Sequence, residues 1–177
     1  MAVTSGSRMQ FEYMLGGGPP PIIMVGEKYD STGWDKGTWL IKDASGMMTK
    51  HATGTIGQGV LGFALQAMSS TADGSEAVPM LLVTPNCVFS GVVADDTTAS
   101  AALQTADLFK TFPITSSASL CPSTNVHVVD ITAVSTAAGA FLIAPKDTTG
   151  TLYGRVYFIL GGRTYSTDSP WNCLIST

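Results

Sequence analysis

The sequence predicts an all-β (mainly β) protein: a small β-barrel or β-sandwich with an extended N-terminal arm and at most one short helix. Three observations carry this. Short apolar runs recur at a spacing of roughly 8–12 residues, each bounded by Gly, Pro, Ser, Thr or Asp turn residues. The stretch "RMQFEYML" (8–15) alternates with a period of two. Only one segment, "TTASAALQTADLFKTF" (97–112), has fair helical propensity. With 177 residues the chain suits one domain with an appendage: an arm and Gly/Pro spacer at 1–21, then a single β-rich domain at 22–177.

In chain order, "MAVTSGS" is a small polar lead-in. The alternation after it puts Met9, Phe11, Tyr13 and Leu15 on one face and Arg8, Gln10 and Glu12 on the other, the pattern of a half-buried strand. "GGGPPP" (16–21) is flexible and then stiff. Two readings of the strand before it stay open: it is the first strand of its own sheet, or an arm that pairs with a neighbouring subunit's edge. "IIMV" (22–25) and "GTWLIK" (37–42) are short strands, with Tyr29, Trp34 and Trp39 as bulky packing. "GQGVLGFALQAM" (57–68) is apolar but rich in Gly, which favours a bulged strand over a short helix. "VPMLLVTPNCVFSGVV" reads as a strand from Val78 to Val83, a turn at Pro85-Asn86 and a strand from Cys87 to Val93. "VHVVDITAV" (126–134), "AFLIAP" (140–145), "GRVYFIL" (154–160) and "WNCLIS" (171–176) complete the set of strands.

Composition narrows the partners. Charged residues make up only 12%, about half the usual ~25%. So little surface charge suits a protein packed against neighbours or exposed outside a cell. The net charge of −4 and nine scattered Lys and Arg give no basic stripe, which excludes nucleic acid as the expected partner. No apolar run approaches the ~18 residues of a membrane span, and the start has no basic and apolar leader pattern. Cys87, Cys121 and Cys173 lie far apart with no CxxC, as expected for thiols in a reducing compartment. A Cys87–Cys121 bridge is the lesser alternative.

Each class of chemistry lacks a part. His51 and His127 have no partner at ligand spacing, so no metal or other cofactor is expected. Cys87, flanked by Val88 and Phe89, sits where thiolate formation is suppressed, which favours a buried small hydrophobe over a nucleophile. Asp95 and Asp96 are adjacent, so on a strand they point to opposite faces and cannot flank one glycosidic bond. "LGGGPPPI" has prolines where a phosphate loop needs a helix N-terminus. The expectation is a protein without catalytic residues.

"VLGFALQAMSSTADGSEAVPMLLVTPNCVFSGVV" resembles the core segment of capsid decoration (head-stabilisation, or cement) proteins of tailed bacteriophages. The places that carry the likeness are Leu61-Gly62-Phe63-Ala64, the strand Met80 to Val83, Thr84-Pro85 and Val88-Phe89. "VHVVDITAV", with Val129-Asp130, and "GTLYGRVYFIL" are similar to later strands of that family, so the likeness spans roughly 57–161. The resemblance implies a non-enzymatic structural virion protein on the capsid outer surface, made in the host cytoplasm. It would clamp adjoining copies of the major capsid protein as a homo-oligomer, a trimer being favoured. Met9, Phe11, Tyr13 and Leu15 are then the expected arm interface. A fibre or lectin-like β-domain that stacks host glycan on Tyr29, Trp34, Trp39 and Trp171 is the alternative. A small hydrolase using Cys87 or Asp95 is weaker still.

Overall fold

The structure, a computed structural model, describes residues 9–25, 33–42, 48–51, 60–68, 78–94, 102–115, 127–132, 134 and 139–161. It is mainly β, as the punctuated apolar runs predict. Its strands are β1 (Gln10–Met14), β2 (Ile22–Val25), β3 (Trp39–Lys42), β4 (Met48–Lys50), β5 (Val60–Ala64), β6 (Val78–Leu82) and β7 (Cys87–Ala94). Then come β8 (Thr111–Phe112), β9 (Ile114–Thr115), β10 (Val128–Asp130), β11 (Gly139–Pro145) and β12 (Arg155–Gly161). The chain divides into two compact units, one of Met1–Gly17, Thr53–Gln58 and Thr84–Thr177, the other of Gly18–Ala52 and Gly59–Val83. The chain passes between the units at Gly17/Gly18, Ala52/Thr53, Gln58/Gly59 and Val83/Thr84.

The second unit holds a five-stranded sheet in the order β2-β6-β5-β3-β4. Its core includes Trp34, Leu40, Met48, Ala64, Met68 and Met80, and Trp39 meets Phe63 edge-on at 4.9 Å. The Gly-rich run is a strand with a bulge, as expected: Leu40 opposes Gly62 and Ile41 opposes Val60, so Leu61 is the extra residue.

The first unit holds a seven-stranded sheet built around β7. Its path is β8-β11-β12-β7-β10-β9, with β1 paired to β7 beside that path. All eight residues of β7 are buried, which is why the strand reads as a nearly continuous apolar run. One edge of β7 takes β12 antiparallel. The other edge is shared: β1 runs antiparallel along Cys87–Ser90, and β10 runs parallel beside Val93 and Ala94. Neither sheet is a closed ladder. The two ends of the seven-stranded sheet, β8 and β9, are nonetheless consecutive in the chain, separated only by Pro113. Pro113 has no N–H to give to a ladder, and its carbonyl accepts from the N–H of Asp130 at 2.9 Å.

The sequence left the pairing of the strands around Pro85-Asn86 unassigned. The strands on either side of Pro85-Asn86 do not pair with each other, because β6 belongs to one sheet and β7 to the other. The turn moves the chain between sheets. The helical propensity of 97–112 yields, among the described residues, only a single 3-10 turn at Thr105–Asp107. The N–H of Gln104 donates to Asp107 Oδ2 at 2.9 Å, capping that turn. Phe109 then takes a left-handed φ of 63°, and its N–H bonds the carbonyl of Leu142 at 2.9 Å, drawing the chain into β8. Sheet pairing overrides propensity here.

Candidate functional site

In this structure β1 pairs with β7 of its own chain. The register places Gln10 opposite Ser90, Phe11 opposite Phe89, Tyr13 opposite Val88 and Met14 opposite Cys87, with a bulge between Phe11 and Tyr13. Neighbouring residues of β7 face opposite sides of the sheet, so Phe11 and Tyr13 must do so too. This corrects the alternation read from the sequence, which put Met9, Phe11, Tyr13 and Leu15 on one face. The inserted residue splits the set. Met9 and Phe11 stay on the face of Phe89, Met14 joins them, and Tyr13 crosses to the other side.

On the Phe89 face, Phe11 meets Phe89 edge-on at 6.0 Å, and Phe89 stacks on Phe158 at 5.9 Å. The result is an aromatic row across β1, β7 and β12. Met9 is only 2% exposed. It lies over Gly91, where a Cβ would stand 3.1 Å from Met9 Cε and 3.2 Å from the Phe158 ring, so a side chain at 91 would displace one of them. Cys87 is buried, with its Sγ 3.6 Å from Met14 Sδ and 3.3 Å from Thr84 Oγ1. It packs as the sequence suggested, a small apolar group closing the lower end of this row.

The opposite face carries a polar clasp that the sequence did not reveal. Ser90 is wholly buried in β7. Its hydroxyl donates to Glu12 Oε1 at 2.5 Å and accepts from Arg155 Nη2 at 2.7 Å. Arg155 also donates to the Ser90 carbonyl at 3.2 Å. Lys146 Nζ completes the group with an ion pair to Glu12 Oε1 at 2.5 Å, and it lies 5.5 Å from the Tyr157 ring centre. Tyr157 in turn meets Tyr13 edge-on at 6.2 Å. Asp147 anchors the start of β12 by accepting the Arg155 N–H at 2.7 Å.

Electrostatics tighten the clasp. Burial works to raise the Glu12 carboxyl pKa, but hydrogen bonds from Lys146 and Ser90 and the charges of Lys146 and Arg155 outweigh it. Glu12 is thus held below the ordinary carboxylate value. Burial pulls the Arg155 guanidinium below its usual value, against the charges of Glu12 and Asp147. With its proton given to Glu12 and its oxygen taken by Arg155, the Ser90 hydroxyl is engaged on both sides. What the group does chemically is fasten β1 to β7 and β12.

The outer side of β1 is what remains open. Tyr13 is 47% and Leu15 41% exposed, and among the described residues no strand pairs with the far edge of β1. The Leu15 N–H donates to the Asn86 carbonyl at 2.8 Å, carrying the pairing one residue past the strand. Gly16, Gly17 and Gly18 come next with φ of 81°, 77° and 98°, and a Cβ on any of them would meet nothing within 4 Å.

The other candidates separate. Trp34 and Trp39 are buried. His127 is buried just ahead of β10, and His51 is half-buried beyond β4. Arg8, Tyr29, Asp95, Asp96, Cys121, Cys173 and Trp171 lie outside the described residues. Among the described residues, no group of three or more His, Cys, Asp or Glu side chains is placed to hold a metal ion. No helix among them is long and apolar enough to cross a membrane. Comparison with protein-family models, with curated proteins and with solved structures finds no match to this chain.

Proposed function

We propose that this protein is a structural virion protein, bound to the outer surface of a phage capsid, that ties adjoining copies of the major capsid protein together. The observation that supports this best is the open edge of β1, a strand fixed on its inner side and unpaired on its outer side among the described residues. A strand of the capsid subunit added there would gain main-chain hydrogen bonds, while the exposed Tyr13 and Leu15 would fill pockets beside it. Repetition of that contact in a homo-oligomer, with a trimer favoured, turns a modest affinity into lasting attachment. The scarcity of charge, 12% of residues, suits a surface that spends its life against neighbours.

A glycan-binding β-domain, the second reading, needs exposed aromatic faces, and Trp34 and Trp39 are buried. The capsid reading needs neither a cofactor nor a catalytic group. Its test is sedimentation of empty phage heads with the purified protein, and then heating of the heads. The expected result is co-sedimentation and greater resistance to heat. A protein that leaves the heads unbound and no more resistant overturns the proposal. A chain with both Tyr13→Ser and Leu15→Ser is expected to bind at least about tenfold more weakly. Its unfolding midpoint should fall only modestly, because Tyr13 is already 47% and Leu15 41% exposed. Undiminished binding by that chain would take β1 out of the interface.

A further inference from the structure

We propose that β1 is exchanged between copies of this chain, each β7 accepting the β1 of another copy in place of its own. Three features of the strand and its tether carry this, independently of the capsid reading. First, β1 packs in one compact unit while the chain leaves that unit at Gly17/Gly18. A single connection therefore joins the strand to the rest of the chain. Second, that connection is built as a hinge. Gly16, Gly17 and Gly18 are all left-handed, stand in open space, and are held by the turn bond from the Gly17 N–H to the Met14 carbonyl at 3.1 Å. Pro19 to Pro21 then stiffen the chain toward an extended form, which suits an opened arm as well as a closed one.

Third, the seat on β7 fits this strand in particular. It takes Met9 over Gly91, Phe11 on Phe89, Met14 on Cys87, and a carboxylate at Glu12 between Lys146 and Ser90. A foreign strand would have to supply three apolar groups and an acid at these places, with a bulge between them. Another copy of the chain supplies them all. Exchange leaves every contact of β1 unchanged and alters only the glycine turn, so it costs little beyond bringing copies together. The turn is where the balance is set.

The test uses the register. Met14 lies directly opposite Cys87, a cross-strand spacing of about 4.5–5.5 Å between Cα atoms that a disulfide can span. A chain with Met14→Cys, and with Cys121→Ser and Cys173→Ser to remove other thiols, is oxidised over a range of concentrations and run on a non-reducing denaturing gel. The expected products are disulfide-linked dimers, or linked trimers if the exchange runs round a ring. Their share should rise as the concentration nears the roughly millimolar effective concentration of the tethered strand. Internally bridged monomer alone, at every concentration, overturns the proposal. Adding Gly17→Val, which resists the left-handed turn, should raise the linked share by about tenfold while it is still small. An unchanged share places the hinge elsewhere and overturns the mechanism. Sedimentation velocity of the unaltered chain at the same concentrations supplies a check free of substitutions, and monomer alone there also counts against exchange. Binding to phage heads is read separately, so failure of one proposal leaves the other standing.

Discussion

Two edge strands flank the Gly16–Pro21 spacer, and they are held in opposite ways. β2, with the sequence IIMV, is the more apolar of the two, yet Ile22 is 51% and Ile23 42% exposed. These residues are consecutive, so β2 leaves both of its faces open along Ile22-Ile23. Its hold on the sheet includes main-chain pairing with β6. β1, with the sequence QFEYM, holds more polar groups but is locked on both faces: the aromatic row and Met14 on one, the Glu12 clasp on the other. Hydropathy alone would rank the two strands the wrong way round. An edge strand becomes part of the core when its side chains have somewhere to go, and Gly91 and Ser90 provide those places for β1.

That contrast can be broken by substitution. Met9→Ala should cost the most, about 2–4 kcal/mol, because Met9 is 2% exposed and packs over Gly91; urea unfolding measures it. A loss below about 1 kcal/mol would make β1 as loosely held as β2. Glu12→Gln should cost about 1–2 kcal/mol at neutral pH, a charge-assisted bond discounted for partial exposure. Its pH dependence sharpens the assignment. The folded pKa of Glu12 is depressed, so its stabilisation is fully present above the ordinary glutamate range and is lost as pH falls through the folded value. The unaltered chain should therefore lose its advantage over Glu12→Gln on acidification below about pH 5, the two stability curves converging. Curves that stay parallel to low pH would remove Glu12 from the clasp. Ile23→Thr should cost least, under about 1 kcal/mol, since the residue is already 42% exposed.

Much of the fold was legible because its signals are local. Alternation at 8–15, the apolar run at 87–94 and the Gly-rich bulge at 60–64 each reflect the neighbourhood a strand occupies. What was hidden depends on distant pairing. Nothing in the sequence marks the bulge after Phe11, which arises because the side chains of β1 must match those of β7. That single inserted residue sends Tyr13 away from Phe11. The clasp was invisible for the same reason: Glu12 lies 78 residues from Ser90 and 134 from Lys146. The one available hint was Ser90, a lone hydroxyl inside an otherwise apolar strand, which needs a buried partner. The sheet change at Pro85-Asn86 was likewise unreadable, since a strand–turn–strand pattern looks the same whether or not its strands pair.

The position of β7 between an early and a late strand has a consequence for the order of events on the ribosome. Its partner β1 is made before it, whereas Arg155 of β12 emerges 65 residues after Ser90. At the usual ~5–20 residues per second, one edge of this apolar strand stays bare for roughly 3–13 seconds during synthesis. Bare apolar edges recruit other chains. An N-terminal strand, from the same chain or from another copy, that covers Cys87–Ser90 on the opposite edge shortens the exposed ladder throughout that interval.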